Sequence, residues 1–421
     1  MPSSLLPTLK RVSGYVNVFV VVVSNLITIF WTNWRNEIFS NSFWDLTVYI
    51  TAVDQVAGGE NPYAIQLNNE AVRIVSGFPY HPYILLLFVR LNDFFPLKFF
   101  LFTFSFLALI FFLRSLLKFL TISDSNFTAR STMKSFLYSL LIVLVCITCG
   151  GAGLIGLLSG NIAFILHIAI IGCALSLIAV PSRRNNLFFL FLIFIGFMVK
   201  PYFLTYLIFS FFVYPILKAA RLSFVVILIC LITWFSAAVL MNEDFKLFLN
   251  SVEYVTFDIG DFGFSIFGTL RSQLGDTLAL FFHISIISVL TITTLYIIQQ
   301  YYTRLSLEII SAIPMTLFLI IMANPRMKEY DFGVMYLVFL PIIYWRLNSF
   351  RISILTLAFF VFITRYGLFL INQNLKIIPS TLLYLRYWEI CVVFSLCVYS
   401  LICPVYERRK QLFNYKVLNQ G

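Results

Sequence analysis

Residues 161–180 have the sequence NIAFILHIAIIGCALSLIAV, a continuous apolar stretch without a charged side chain. A helix needs about 20 mostly apolar residues to cross the hydrocarbon core of a bilayer. A helix that is apolar on all sides must be buried, either inside a large protein or in a membrane. We therefore expect residues 161–180 to form a membrane-spanning helix.

Comparable apolar runs continue on both sides of this stretch. We predict about twelve spans, near residues 12–32, 97–119, 135–151, 161–180, 187–200, 202–217, 222–241, 277–298, 305–323, 332–345, 352–371 and 380–403. The whole chain is 61% hydrophobic and only 11% charged, with a mean hydropathy of +0.94. These values exclude a soluble enzyme and a disordered chain. We predict an all-α polytopic membrane protein in which residues 1–421 form a single transmembrane domain.

The net charge of +11 reports topology. Basic residues occur singly or in pairs between the apolar runs and form no basic face, so we expect no nucleic-acid partner. Lysine and arginine prefer cytoplasmic loops. Most basic loops fall on one side if Lys10-Arg11 is cytoplasmic and residues 82–95 do not cross. We therefore predict a multi-pass plasma-membrane protein with both termini, including the tail 404–421, in the cytoplasm.

The polar residues gather on the opposite side of the membrane. On this topology the outer face carries a long first loop, residues 33–96, and a second loop, residues 242–275. Function in a helical membrane protein is expected where ionisable and polar residues cluster. We therefore predict an active site or binding cleft that faces outward.

The first outer loop begins with a predicted amphipathic helix over about 42–57. Its apolar positions have helical spacing, at Leu46, Ile50, Val53 and Ala57. Asp45 and Tyr49 lie on a neighbouring face, Asn41 or Ser42 caps the start, and Gly58-Gly59 ends the helix. Asp45 has two interpretations: it complements the helix dipole, or it is a general base at the lipid–water boundary.

A second interfacial helix is predicted over about 82–95. Pro82 suits a helix start, whereas Arg90 and Asp93 make the run too charged and too short for a span. Tyr63 and Tyr80 precede this helix and suit the membrane interface. His81 fits either a structural hydrogen bond or a role in catalysis.

Three cations near the outer ends of spans are candidate anion ligands. Lys200 follows the apolar run 187–199, where an ammonium is costly unless it snorkels, pairs, or faces an anion. Arg326 and Lys328 share a short outer turn with Glu329 and Asp331, which could neutralise them. His167 lies inside an apolar run, and we expect it to be a core histidine with its hydrogen bonds satisfied.

Several of these segments together resemble a known enzyme family. They are Asp45-Leu46-x-Val48-Tyr49, Gly58/Gly59-x-Asn61-Pro62-Tyr63, Tyr80-x-Pro82, Gly160-Asn161, Lys200-Pro201-Tyr202, and Asn324-Pro325 with Tyr330. Their order along residues 43–345 resembles glycosyltransferase family 87 of the GT-C superfamily, which uses polyprenyl-phosphate sugars. Family members often have Gly-Gln-x-Asn where this chain has residues 160–163, and a histidine where it has Tyr330.

The resemblance implies a GT-C-like fold and an inverting sugar transfer at the outer face. The donor is a polyprenyl monophosphate sugar, mannose by family habit, and the acceptor is lipid-linked or a glycan, in contact with membrane lipids. Asp45 takes the place of the catalytic base. The expected ligands of the donor phosphate are Lys200, Arg326 and Lys328. The expected substrate-binding residues are Tyr49, Tyr63, Tyr80, His81, Asn161 and Tyr330. No cofactor or metal is required.

Two other functions fit the same sequence. A secondary transporter or flippase of lipid-linked sugars also has many spans and scattered intramembrane charges, although such folds often contain internal repeats. No convincing repeat is present in this chain. A non-catalytic scaffold is the third possibility, but it leaves the long first outer loop without a purpose.

Overall fold

The computed structural model describes residues 44–63, 78–123, 159–254, 265–302 and 307–327, together with residues 331, 334, 394–395 and 397–398. These residues form helices and connecting turns without a β-strand. The longer elements in this part of the chain are α1 (Trp44–Ala57), α2 (Pro82–Phe94), α3 (Leu97–Ser123), α4 (Ile162–Ala179), α5 (Arg183–Val199), a 3₁₀ helix (Pro201–Phe212), α6 (Ile216–Leu240), α7 (Asn242–Glu253), α8 (Ile266–Leu274), α9 (Asp276–Tyr302) and α10 (Leu307–Met322).

The prediction of an all-helical chain is confirmed for these residues. Four helices are long and apolar enough to cross a membrane in the part that the structure describes: Leu97–Leu116, Ile162–Ala179, Ile216–Leu240 and Asp276–Gln299. The predicted runs 12–32, 135–151 and 352–371, most of 332–345 and 380–403, and the tail 404–421 lie outside the described residues. The proposed caps Asn41 and Ser42 also lie outside them.

Helix α4 lies at the centre of the described structure. Nearly all of its side chains are buried, and α3 and α5 pack along it. Gly172 of α4 lets α3 pack close to α4, because a Cβ atom at this position would lie 3.0 Å from the Cα atom of Phe112 in α3. The uncharged stretch of the sequence is therefore buried by other helices rather than by lipid alone.

Helices α6 and α9 have the opposite environment. Each exposes large apolar side chains along its length, including Phe224 and Phe235 in α6 and Val289 and Ile292 in α9. Soluble monomers rarely expose apolar surface on this scale. These two surfaces are compatible with helices that face lipid.

The segment after α5 is a 3₁₀ helix rather than an α-helix. In this geometry side chains three residues apart eclipse one another. Phe203, Tyr206 and Phe209 accordingly stack, with successive ring planes inclined by 20° and 19°. Gly196 in α5 makes room for this column, because a Cβ atom there would lie 2.8 Å from Cγ of Phe203.

Both segments of the predicted first outer loop that were expected to be helical are helices, α1 and α2. The predicted apolar stripe of α1 is partly wrong, because Ala57 is exposed and Ile50 is only partly buried. The buried side chains are instead Leu46, Tyr49, Ala52 and Val53. The stripe is rotated because Tyr49 packs against Tyr80 and Phe88, at ring-centroid distances of 5.5 Å each.

The predicted second outer loop contains two helices, α7 and α8. Helix α7 packs against α6 and α2. It also contacts the Asn61-Pro62-Tyr63 turn, because Asn61 Nδ2 donates a hydrogen bond of 3.1 Å to Asp244 Oδ1. Tyr63 packs edge-on against Phe248 of the same helix. Helix α7 of the second predicted outer loop therefore packs onto the described part of the first.

Candidate functional site

Asp45 stands at the N-terminal end of α1, where that helix docks against the start of α4. The backbone N–H groups of Asp45 and Leu46 both donate to the carbonyl oxygen of Ser159, across 3.1 and 3.3 Å. Gly160 follows with φ of 67°, a conformation that glycine adopts at little cost. This turn brings the next residue, Asn161, to the side chain of Asp45.

Asn161 connects the two helix starts through its side chain. Its Oδ1 atom accepts from the N–H of Phe164 and so caps α4, across 3.1 Å. Its Nδ2 group donates to Oδ2 of Asp45 across 3.0 Å. The amide must therefore keep its oxygen toward α4 and its nitrogen toward Asp45. Asn161 is 2% exposed, so this arrangement is fixed in the interior.

The surroundings of Asp45 hold its pKa above the ordinary value of 3.8. Burial is the largest cause, because it disfavours the carboxylate. Hydrogen bonds from Asn161 and Ser159 and the positive charges of Lys200 and Arg326 act in the opposite direction. The result is a carboxylate that is more basic than an exposed aspartate and lies in the field of two cations.

The three predicted substrate-binding tyrosines, Tyr49, Tyr63 and Tyr80, direct their hydroxyls into the protein, and Tyr49 and Tyr80 lie close enough to Asp45 to be influenced by its charge. The hydroxyl of Tyr49 contacts that of Tyr80 at 3.1 Å and accepts from the N–H of Ile162 at 3.1 Å. The hydroxyl of Tyr63 donates to the carbonyl oxygen of Tyr80 at 3.0 Å. Burial raises the pKa of all three tyrosines, so they remain protonated. They join α1, α4 and the turn before α2.

His81 caps α2 and is completely buried. Its Nδ1 atom accepts from the N–H of Tyr83 at 3.3 Å, so its own proton is assigned to Nε2. Its ring stacks on Trp234 at 5.6 Å between centroids. Burial lowers the pKa of His81 to about 4. His81 is therefore a neutral residue with a structural hydrogen bond, and its Nε2 has no hydrogen-bond partner among the described residues.

Lys200 ends α5 and immediately precedes the 3₁₀ helix. Its N–H donates to the carbonyl oxygen of Gly196 at 2.7 Å, which closes the last turn of α5. Its Nζ atom lies 3.8 Å from Oδ1 of Asp331 and 5.8 Å from the ring centroid of Tyr202. The side chain is 23% exposed, so the ammonium is held between the interior and an accessible surface.

Asp331 is the main residue that sequence reasoning missed. It was considered only as a neutralising neighbour of Arg326 and Lys328, but its carboxylate is fully buried and pairs with Lys200. Asn324 Nδ2 donates to Oδ2 at 3.0 Å, and the hydroxyl of Tyr202 donates to Oδ1 at 3.3 Å. No local spacing indicates this network, because its members come from separate parts of the chain.

His167 lies behind this network inside α4. Nδ1 contacts the hydroxyl of Tyr206 at 2.6 Å, and Nε2 contacts the hydroxyl of Tyr202. His167 Nε2 also lies 3.6 Å from Oδ1 of Asp331. His167 is therefore a core histidine with both nitrogens hydrogen-bonded, as predicted, but it also contributes to the surroundings of Asp331.

Arg326 lies in the turn after α10 and is partly buried. Its backbone N–H donates to Oδ1 of Asn324 at 3.0 Å. Its charge reaches Asp45, since it lowers the pKa of that carboxyl against the effect of burial. The other two predicted residues of this segment, Lys328 and Tyr330, lie outside the described residues.

The arrangement brings four of the predicted site residues close together, Asp45, Asn161, Lys200 and Arg326. Asp45 and Asn161 form one part, and Lys200 and Arg326 form a positive part close enough to influence the pKa of Asp45. Such a pairing can remove a proton from a hydroxyl and stabilise a nearby anion. Across the described ranges, no three histidine, cysteine, aspartate or glutamate residues lie together as metal ligands.

No protein-family model matches the chain, and no curated protein matches it.

Proposed function

We propose that this protein is a membrane-embedded inverting glycosyltransferase. It moves a sugar, mannose by the resemblance, from a polyprenyl monophosphate donor to a lipid-linked or glycan acceptor, and it needs no cofactor. The observation that carries this proposal is the partly buried Asp45 carboxylate, which receives a hydrogen bond from Asn161 and lies in the field of Lys200 and Arg326.

Asp45 suits the role of general base. A base must be unprotonated at the working pH and yet basic enough to accept a proton in the transition state. Burial raises the pKa of Asp45, whereas the hydrogen bonds and nearby cations prevent it from becoming a permanently neutral acid. The hydrogen bond from Asn161 fixes the orientation of the carboxylate, with Oδ2 toward the amide.

The reaction follows from these charges. Asp45 takes the proton of the acceptor hydroxyl as that oxygen bonds to the anomeric carbon from the face opposite the phosphate. The bond between the anomeric carbon and the phosphate oxygen breaks, and its electron pair stays on that oxygen. Lys200 and Arg326 supply positive charge where the phosphate gains negative charge. The configuration at the anomeric carbon inverts because attack and departure occur on opposite faces.

The protein is proposed to work at the outer face of the plasma membrane, with both termini in the cytoplasm. The clustering of basic residues in one set of loops supports this orientation. The packing of α1, α2 and α7 supports a single working surface, since all three come from the loops assigned to the outer side. Long apolar helices with exposed side chains support the membrane setting.

The test is sugar transfer by purified Asp45→Asn protein in proteoliposomes. A panel of polyprenyl-phosphate sugars is supplied with membrane lipids, and products are identified by mass spectrometry. The variant keeps the size of the side chain but loses the base, so transfer is expected to fall by about 100-fold or more. The matched control is Asp54→Asn, because Asp54 lies on the same helix and is exposed.

The control variant is expected to retain the wild-type rate. Equal unfolding temperatures of the two variants establish that the loss is chemical. Transfer at the wild-type rate by Asp45→Asn would remove Asp45 from the mechanism, and no transfer by the wild type from any donor would reject the proposed activity.

One observation favours the transporter or flippase alternative. Asp331 and His167 are fully buried and lie close to Lys200, and buried ionisable residues often mark ion pathways in membrane proteins. The alternative predicts that proteoliposomes move a lipid-linked sugar across the bilayer without transferring the sugar. A fluorescent lipid-linked sugar, accessible to a membrane-impermeant quencher on one side only, measures that movement.

A further inference from the structure

Asp331 has two kinds of partner. Asn324 and Tyr202 are neutral donors, and they approach Oδ2 and Oδ1 across 3.0 and 3.3 Å. Lys200 is the charged partner, and its Nζ atom is farther away, at 3.8 Å. That distance exceeds the 2.7–3.2 Å range of an ordinary N–H···O hydrogen bond. The ion pair is therefore the looser contact.

The neutral donors are themselves supported from behind. The hydroxyl of Tyr202 has a single proton, and it donates this proton to Asp331. His167 must then donate through Nε2 to the oxygen of Tyr202 and accept through Nδ1 from the hydroxyl of Tyr206. Each hydrogen bond in the series Tyr206–His167–Tyr202–Asp331 is therefore donated in the direction of Asp331. The carboxylate thus keeps hydrogen-bond donors when Lys200 moves away.

Lys200 is the more exposed member of this ion pair. Its side chain is 23% exposed, whereas the side chain of Asp331 is completely buried. The carboxylate is fixed in the interior, and the long, flexible lysine side chain reaches it from the accessible side. An anion on that side therefore competes directly with Asp331 for the ammonium of Lys200.

We infer that Asp331 is a positioning residue that competes with the phosphate of the spent donor for Lys200 and so promotes release of polyprenyl monophosphate. This inference rests on the proposed function, and it assigns a product-release role to a residue outside the acceptor and donor sites. Before transfer Asp331 holds Lys200 near the site, and after transfer it takes Lys200 back.

The charge of the phosphate explains why the product is the sensitive ligand. A sugar-linked phosphate diester carries one negative charge, whereas a phosphate monoester carries about −1.5 to −2 at neutral pH. The product therefore attracts Lys200 more strongly than the donor does. Without a competing carboxylate, Lys200 would stay on the product, and release would limit turnover.

The first test is the Asp331→Asn variant of the full chain in phosphatidylcholine nanodiscs. Asparagine keeps one acceptor oxygen, which can take the hydrogen bond from Asn324, places an NH2 group toward Tyr202, and loses the charge that holds Lys200. Binding of decaprenyl monophosphate is expected to tighten about fivefold, the upper end for a partly exposed ion pair. Product inhibition is expected to slow steady-state transfer by a larger factor than the rate of a single turnover changes.

A second variant with the opposite expected effect excludes a merely structural role. Tyr202→Phe removes a neutral donor from Asp331, so the carboxylate depends more strongly on Lys200. Decaprenyl monophosphate is then expected to bind more weakly than to the wild type. Damage to the fold weakens binding in both variants, whereas competition gives two opposite changes. If Asp331→Asn does not fold, Tyr202→Phe still tests the inference, because unchanged or tighter binding of decaprenyl monophosphate by this variant overturns it.

Two controls complete the experiment. Asp54→Asn removes an exposed carboxylate and is expected to bind decaprenyl monophosphate as the wild type does. In a Lys200→Gln background, Asp331→Asn is expected to produce no gain, because the competition acts through Lys200. A gain that persists in that background overturns the inference, as does unchanged or weaker binding by Asp331→Asn alone. Failure of the wild type to bind decaprenyl monophosphate instead rejects the proposed function, and this inference with it.

Discussion

The side-chain amide of Asn161 donates a hydrogen bond of 3.0 Å to the carboxylate of Asp45, although the two residues are 116 positions apart. The same amide caps α4 through its oxygen. The start of an almost fully buried helix is thereby coupled to the residue proposed to remove the acceptor proton. A change at Asn161 therefore affects both stability and chemistry, and the choice of substitution separates the two.

Asn161→Ser is expected to shift the pH dependence of sugar transfer. Serine retains the ability to cap α4 but is too short to replace the bond to Asp45. That bond lowers the pKa of Asp45, so its loss raises the pKa further above 3.8. Because the base acts when unprotonated, the acid limb of kcat/KM moves to higher pH. The measurement is kcat/KM as a function of pH for the wild type and the variant.

The unfolding temperature of Asn161→Ser serves as the control and is expected to stay close to that of the wild type. An acid limb that stays in place, or moves to lower pH, contradicts the assignment of this limb to Asp45.

His81→Asn is expected to reduce sensitivity to acid. Burial lowers the pKa of His81 from 6.5 to about 4, so only the unfolded chain takes up this proton between those values. Stability therefore falls as the pH drops through this window, by at most about 3 kcal/mol from this residue. Asparagine preserves a capping oxygen but does not titrate. The difference in unfolding temperature between about pH 7 and about pH 4.5 is expected to shrink in the variant.

An equal loss of stability in the wild type and His81→Asn at acid pH would show that other groups cause the acid sensitivity. The wild type and the variant are purified in the same way and measured in the same detergent, so that only the residue at position 81 differs between the two proteins.

Gly196→Ala is expected to destabilise the protein. The new Cβ atom would lie 2.8 Å from Cγ of Phe203, inside the aromatic column of the 3₁₀ helix. Overpacking of this kind costs about 1–3 kcal/mol. The matched control is Gly58→Ala, where the nearest atoms lie at an ordinary contact distance of 3.5 Å. Thermal unfolding of both variants measures the effect, and equal unfolding temperatures would contradict the packing described for α5 and the 3₁₀ helix.

Local signals in the sequence predicted the short helices α1 and α2 well. Pro82 marks the start of α2, and Gly58-Gly59 follows the end of α1, with Gly59 at φ of 76°. These residues act through their own backbone conformations, so neighbouring sequence is sufficient. The buried face of α1 was less predictable. Tyr49 carries a polar group, and only its partners Tyr80 and Ile162 make its full burial favourable.

The surroundings of Lys200 depend on packing that sequence spacing does not express. The continuous apolar run 187–199 predicts that Lys200 follows the end of a helix, and this prediction agrees with its position after α5. The pairing with Asp331 instead requires α4, the 3₁₀ helix and the turn after α10 to meet. Local spacing in the sequence does not predict this cluster, because its hydrogen bonds join elements whose relative positions depend on the whole fold.

The 3₁₀ geometry of Pro201–Phe212 changes how far this short segment reaches. Twelve residues rise about 18 Å in an α-helix, at about 1.5 Å each, but about 24 Å at the 3₁₀ rise of about 2.0 Å. The hydrocarbon core of a bilayer is about 30 Å thick. In 3₁₀ geometry the length of this segment is therefore most of that thickness, and the stacked rings of Phe203, Tyr206 and Phe209 lie along it.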